Sequence, residues 1–230
     1  SGINLNPGLT VFIWFSLWIW VVFFRKTPKS RNAKKNLPKK PTDTPCFAVL
    51  DVETTGLMKS NITPTKKLLD EDPDNFPRIV QIACTTISRN YNVVKQEAFY
   101  IKQDKKIPKE AMAIHKITDE VCEKEGYELI KILKLFEKDI EECDYIVGHN
   151  VMFDKRVVLS EFIRSGLSTP FKYMKNYDTM SMGREVMKRR RFKLESLAEN
   201  ILGQNKLKKY NLHNAIDDVE VTAICFCWLH

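Results

Sequence analysis

Two carboxylates stand two positions apart in Asp51-Val-Glu-Thr-Thr-Gly56, directly after the apolar run Phe47 to Leu50. Phe and Val in that run favour a strand, and Gly56 is a natural stop. Alternate strand residues share a face, so Asp51 and Glu53 point the same way. Like charges so close repel unless a cation lies between them. Mg²⁺ or Mn²⁺, hard ions that take oxygen ligands, suit such a pair. A strand end with two solvated acids would read the same, so the remaining acids decide. Asp154 closes His149-Asn-Val-Met-Phe-Asp154, where a short apolar strand ending at Gly148 passes into a helix. On the first helical turn Asp154 would face back over the sheet edge, and the partly positive helix N-terminus favours a carboxylate there. The last cluster is His213-Asn-Ala-Ile-Asp-Asp218. Residues five apart on one helix lie about 140° from each other. His213 and Asp218 therefore converge only if His213 stands in the loop before the helix. Asp217 competes with Asp218 as the acid, and only the spacing favours Asp218.

These residues need a scaffold, and the hydrophobic pattern describes one. After the strand carrying Asp51, Lys59 to Pro77 is polar, with three prolines and a run of acids, and reads as a surface loop. Arg78 to Ser88 and Val93 to Ile101 read as strands that extend the first into an antiparallel meander. A short helix ends near His115, and Thr118-Asp-Glu begins another. Glu125 to Cys143 is amphipathic, with Leu129, Leu133, Phe136 and Ile140 at helical spacing. Asp144 to His149 is a short buried strand, followed by a helix from about Phe153 to Arg164, and Tyr173 to Tyr177 is a fifth strand. Helices follow at Thr179–Lys188, Leu194–Leu202 and Asn214–Leu229. Strands first, then helices alternating with short strands, indicate an α/β domain with a mixed sheet.

The N-terminal part has a different composition. Gly8 to Phe24 carries no charge and holds three of the four tryptophans. At about 17 residues it reaches the short end of the membrane-spanning range. Arg25 and Lys26 follow it and no charged side chain precedes it, the order of a retained signal-anchor and not of a cleaved leader. An interfacial helix or a buried core helix would also be apolar there. Residues 25–45 form a basic linker with eight Lys or Arg and one acid. Basic residues beside a span mark the cytoplasmic side, so the domain at 46–230 is expected on that side of a single-pass membrane protein. The formal charge of +8 sits almost wholly in the linker, leaving 29 basic against 28 acidic residues from Cys46 onward. The high pI thus says little about the domain. The six cysteines show no zinc spacing.

Asp51-x-Glu53, Asp154 in His-Asn-x-x-Phe-Asp, and His213-x₄-Asp218, in this order, resemble the DEDDh (DnaQ-like) exonuclease family. The resemblance spans about Phe47 to Cys227 and extends to Arg78-Ile-Val-Gln-Ile-Ala, Ile114-His-Lys-Ile-Thr, Tyr177-Asp-Thr and Lys193-Leu-Glu-Ser-Leu-Ala. It implies an RNase H-like fold and hydrolysis of the 3′-terminal phosphodiester of nucleic acid, with release of nucleoside monophosphates. Asp51, Glu53, Asp154 and Asp218 would hold two divalent ions, Mg²⁺ or Mn²⁺, and His213 would take a proton from water. By the same match Thr54, Thr55 and Leu57 would line the terminal nucleotide, with His115 and Phe153 near the last ones. The Lys59–Pro77 segment is longer than in compact members. Lys188-Arg-Arg-Arg-Phe-Lys193 and Lys206-Leu-Lys-Lys209 could hold phosphates or be a solvated face. A DNA exonuclease, an RNA-trimming enzyme and a non-catalytic membrane-tethered receptor all bind nucleic acid, and a receptor would be expected to lack one of the five site residues.

Overall fold

A computed structural model describes residues 44–171, 174–188 and 193–230. The apolar span at 8–24, the linker up to residue 43 and the arginines at 189–191 lie outside the described residues. Among the described residues no helix is long and apolar enough to cross a membrane.

Five strands form one sheet in the order β3-β2-β1-β4-β5: β1 (Pro45–Thr54), β2 (Ile79–Ser88), β3 (Val93–Tyr100), β4 (Tyr145–Gly148) and β5 (Lys175–Asp178). β1 pairs antiparallel with β2, and β2 with β3, while β4 runs parallel to β1 and β5 parallel to β4. This is the mixed sheet that the sequence pattern predicts. Two layers of helices cover it. On one face α4 (Leu129–Ile140) and α5 (Val151–Arg164) pack on Ala48, Leu50, Val52 and Ile82 through Leu133, Phe136, Val157 and Phe162. On the other face α9 (Ala215–Leu229) packs on Phe47, Val49 and Ala83 through Val219, Ala223 and Phe226. The two-residue period of β1 divides its side chains between these cores. Asp51 and Glu53 continue the row of Phe47 and Val49, so both acids emerge on the α9 face.

Smaller helices frame the sheet edges: α2 (Lys109–His115), α3 (Asp119–Glu125), α6 (Thr179–Met187), α7 (Leu194–Leu202) and the short α8 (Gln204–Leu207). The amphipathic helix expected from Glu125 begins only at Leu129. Gly126 ends α3, and Tyr127 hydrogen-bonds to the backbone beside β3 before Glu128 opens the next helix.

The Lys59–Pro77 segment is not a plain surface loop. It contains α1 (Lys66–Glu71), capped by Thr65 Oγ1 on the Leu68 N–H at 3.2 Å, and a 3₁₀ turn at Pro73–Asn75. Leu69 and Phe76 are buried. Arg164 donates to the Pro73 and Phe76 carbonyls at 2.8 Å each and lies 3.4 Å from Glu161. Glu161, with no exposed surface, also accepts from Arg78 Nε at 2.7 Å and from the Ile79 N–H at 3.3 Å. Buried charges persist when paired and hydrogen-bonded, and this pairing holds the segment against α5.

Candidate active site

The acids meet at the C-terminal ends of the parallel pair β1 and β4. β4 stops at Gly148, and its pairing with β1 ends at Val49–Val147. The N–H of Val52 is thereby left without a strand partner, and Asp154 Oδ1 accepts it at 3.1 Å. A buried backbone donor must find an acceptor, so the short strand selects a carboxylate at this place on α5. The turn from β4 into α5 is tight: a Cβ at Gly148 would lie 3.0 Å from the Val151 Cα. Asn150 completes it in the left-handed region and gives its N–H to Asp178 Oδ1 at 2.8 Å. Asp154 is consequently 4% exposed on the first turn of α5.

The third element is the start of α9. His213 lies outside the helix with φ +69°, Asn214 is the cap, and Asp218 sits on the first turn. Asp218 Oδ2 accepts the His213 N–H at 3.1 Å, while Oδ1 is buried with no hydrogen-bond partner. Side-chain ligand atoms of Glu53, His213 and Asp218 all lie within 4.8 Å of one another. The geometry also separates Asp218 from Asp217, whose Oδ2 is turned to the Asn211 N–H at 2.9 Å.

Burial is the main influence on all four carboxyls, and it holds each above the ordinary carboxylate range. Asp51 is raised well above it, with Asp154, Asp218 and Glu53 adding to the burial. Glu53 is pushed up to about 8 by burial, then by Asp218 and Asp154. Asp154 rises to about 8 by burial despite its bond from Val52, with Asp178 and Asp218 adding to it. Asp218 rises to about 7 by burial, opposed by the His213 N–H and aided by Asp217. Four mutually repelling oxygen donors with one buried oxygen unpartnered fit a site for hard divalent cations.

The residues expected to line a terminal nucleotide are placed unequally. Leu57, 83% exposed, stands in the turn after β1 with nothing covering it. Thr54 is buried and its hydroxyl donates to the Gly56 carbonyl at 2.6 Å, while Thr55 Oγ1 accepts the Arg78 N–H at 2.9 Å. Both hydroxyls thus shape the turn that presents Leu57. His115, at the end of α2, is buried, with Nδ1 accepting from the Ile117 N–H and the Thr54 backbone beside its ring. Burial lowers its pKa. Phe153 is half-buried and packs against the core under α5.

Three residues within the quoted motifs acquire roles that their sequence positions did not announce. Asp178 caps α6 through the Met180 N–H and also receives the Asn150 N–H. Gln81, 3% exposed and paired across the sheet with Glu53, accepts the Ala215 N–H at 3.0 Å and faces Asn214 Oδ1 at 3.3 Å. Asn214 also receives the Ile216 N–H. A polar residue inside the otherwise apolar stretch Ile79–Cys84 was the available signal in the case of Gln81.

Comparison with known proteins places the chain in a family. DNA polymerase III PolC-type from Thermotoga maritima is 30% identical over 182 residues, which is 78% of this chain and 11% of that protein. The DNA polymerase III subunit epsilon of Rickettsia prowazekii is 29% identical over 183 residues, 76% of this chain and 69% of the relative. The 3′-5′ exonuclease DinG of Bacillus subtilis is 28% identical, with 78% of this chain and 17% of that protein covered. This chain therefore spans only a small part of the PolC-type and DinG relatives. Among solved structures, E. coli exonuclease I in complex with a dT13 oligonucleotide aligns with TM-score 0.62 at 20% identity, over 79% of this chain and 40% of that one. Exonuclease X in complex with 5′ overhanging duplex DNA aligns with TM-score 0.52 at 20% identity, over 80% and 90%. At such identity these two likenesses speak to the fold. An exonuclease family model of the RNase T type matches residues 48–226, from the first core strand to the last helix. That span carries every acid described above in its expected order, and the chain belongs to the RNase T exonuclease family.

Proposed function

We propose that this chain is a metal-dependent 3′→5′ exonuclease that hydrolyses the 3′-terminal phosphodiester of nucleic acid, with single-stranded DNA favoured, and releases nucleoside 5′-monophosphates. The observation that carries the proposal is the convergence of Asp51, Glu53, Asp154 and Asp218 from three elements, with His213 within 4.8 Å of Glu53 and Asp218. The relatives, a 3′-5′ exonuclease and an epsilon subunit of DNA polymerase III, support the reading, as do neighbours solved with DNA.

The four carboxylates are the residues that would hold Mg²⁺ or Mn²⁺. Such ions, when bound, supply the positive charge that a scissile phosphate and its leaving oxygen require. The chain's own residues do the rest. His213, exposed at the mouth of the site, takes the proton from the attacking water. Its left-handed backbone and the Asp218 carboxylate on its N–H fix where the ring can reach. Leu57 offers an apolar surface to the terminal base, on a turn made rigid by Thr54 and Thr55. His115 and Phe153 flank the bound strand near its last nucleotides.

The proposal includes an N-terminal anchor at residues 8–24, with the catalytic domain on the cytoplasmic side. Its support is the uncharged apolar run and its basic flank. Alkaline extraction of membranes containing the full chain tests it, and release of the chain into the soluble fraction would refute the anchor.

The full chain in detergent, incubated with 5′-labelled single-stranded DNA and RNA of one sequence, tests the activity. Stepwise 3′ shortening that EDTA abolishes would support it, and the DNA-to-RNA rate ratio would choose the substrate. Binding without shortening in Mg²⁺ or Mn²⁺ would refute it.

A further inference from the structure

Resting on the functional reading above, we infer that Gln81 is a positioning residue that holds the start of α9, and with it His213 and Asp218, at the register of Glu53. Glu53 and Gln81 are direct partners across the antiparallel β1–β2 pair, so their side chains leave the sheet side by side on the α9 face. The Gln81 amide uses both of its ends on α9. Its Oε1 accepts the Ala215 N–H at 3.0 Å, and its Nε2 donates to the Asn214 side-chain oxygen at 3.3 Å. That N–H is one of the unpaired donors every helix start presents, and Asn214 caps the same turn through the Ile216 N–H. The clamp therefore closes over two consecutive residues, between His213 on one side and Asp218 on the other.

The clamp decides something that packing alone leaves free. Ala215 and Val219 set the depth of α9 on the sheet, but apolar contacts tolerate small slides along the helix axis. A two-ended amide is directional and fixes the slide. The Asp218 carboxylate accepts the His213 N–H, and that tether moves with the same turn. The distance between the Glu53 and Asp218 oxygens thus depends on where Gln81 holds the turn. Residues that orient ligand-bearing groups without touching the ion commonly contribute about 10–100-fold in metal affinity.

Gln81→Met and Gln81→Glu keep the side-chain volume and separate this role from simple core filling. Met removes both hydrogen bonds. Glu keeps the acceptor for Ala215 N–H, which the helix N-terminus favours in charged form. Mn²⁺ binding to the full chain in detergent, read by electron paramagnetic resonance of the free ion, needs no turnover. Gln81→Met is expected to weaken Mn²⁺ binding about 10-fold or more, to raise the Mg²⁺ concentration for half-maximal activity in parallel, and to leave the substrate KM unchanged. Gln81→Glu keeps one end of the clamp but sets an acceptor against Asn214 Oδ1, so its Mn²⁺ affinity is expected to lie between those of Gln81→Met and the parent. A Gln81→Met chain that melts lower yet binds Mn²⁺ as tightly as the parent would overturn the inference. Failure of the unaltered chain to bind Mn²⁺ would instead overturn the functional reading, and the inference with it.

Discussion

Replacing Glu53 with Gln should stabilise the metal-free protein while abolishing catalysis. Burial, then Asp218 and Asp154, moves the Glu53 carboxyl from 4.5 to about 8. At pH 5 Glu53 is protonated in the folded chain, and Gln is its neutral near-isostere, so the substitution changes little there. The unfolded chain releases that proton near its ordinary pKa. Between pH 4.5 and 8 the folded state therefore binds more protons than the unfolded one, and stability falls as pH rises. At about 1.4 kcal/mol per pH unit, the ceiling for Glu53 at pH 8 is roughly 4–5 kcal/mol. Partial solvent access lowers the expected gain on substitution to about 2–3 kcal/mol. A domain of this size melts roughly 2–4 °C higher per kcal/mol, so Glu53→Gln should gain about 5–10 °C at pH 8 in EDTA. At pH 5 the two proteins should melt together. Scanning calorimetry at both pH values reads this directly, and saturating Mn²⁺ should stabilise the parent more than the variant. Equal melting at pH 8 without metal, or a lower melting point for the variant, would refute the view that burial and the neighbouring acids disfavour the Glu53 carboxylate in the folded chain.

Three further outcomes follow from the same fold. His213→Ala should reduce the rate of 3′ shortening by about 10²–10⁴, with Mn²⁺ binding and melting little changed, because the ring is exposed; a rate within threefold of the parent would remove His213 from proton transfer. Leu57→Ala should raise KM for oligonucleotides severalfold at constant melting temperature, since an 83% exposed side chain contributes little to the core; a destabilised variant with unchanged KM would make Leu57 a packing residue. Glu161→Ala should cost about 3–5 kcal/mol, the usual penalty for removing one partner of a buried ion pair. It should also speed limited proteolysis between Lys59 and Pro77, and cleavage unchanged in rate would mean that the segment does not depend on Arg164 and Glu161.

The strands and long helices were legible because their periods are local. β2, β3, α5, α7 and α9 fall within a residue or two of where hydrophobic spacing puts them. The convergence of His213 and Asp218 was legible too, since helical geometry forces the histidine off the helix. What was not legible depends on partners far along the chain. The Lys59–Pro77 segment reads as loop because its prolines and acids carry no period; its order comes from Arg164 and Glu161, about a hundred residues later. Gln81 reads as one polar residue in the apolar stretch Ile79–Cys84, and its meaning lies at Asn214 and Ala215. Asp154 shows a third kind of limit. Its place on a helix start follows from sequence, but the Val52 N–H that anchors it exists only because β4 is short.

That shortness also bears on why the site needs help from solution. Among the described residues, the influences on Asp51, Glu53, Asp154 and Asp218 are burial, backbone hydrogen bonds and other acids, with no lysine or arginine. Arg78, just before β2, and Arg164, at the end of α5, are both turned to Glu161. Among the described residues the fold thus brings four carboxyls together and places no cation among them. Two responses are open to it: to keep protons on the carboxyls near neutral pH, or to bind divalent ions in their place. The first leaves the site with acids that cannot attract a phosphate; the second neutralises the repulsion and makes the same residues productive. Metal binding must then compete with protons and add to folding stability in one step, because ligand that binds only the folded chain stabilises it by mass action. Catalytic competence and stability near pH 8 are, on this account, set by the same free concentration of divalent cation.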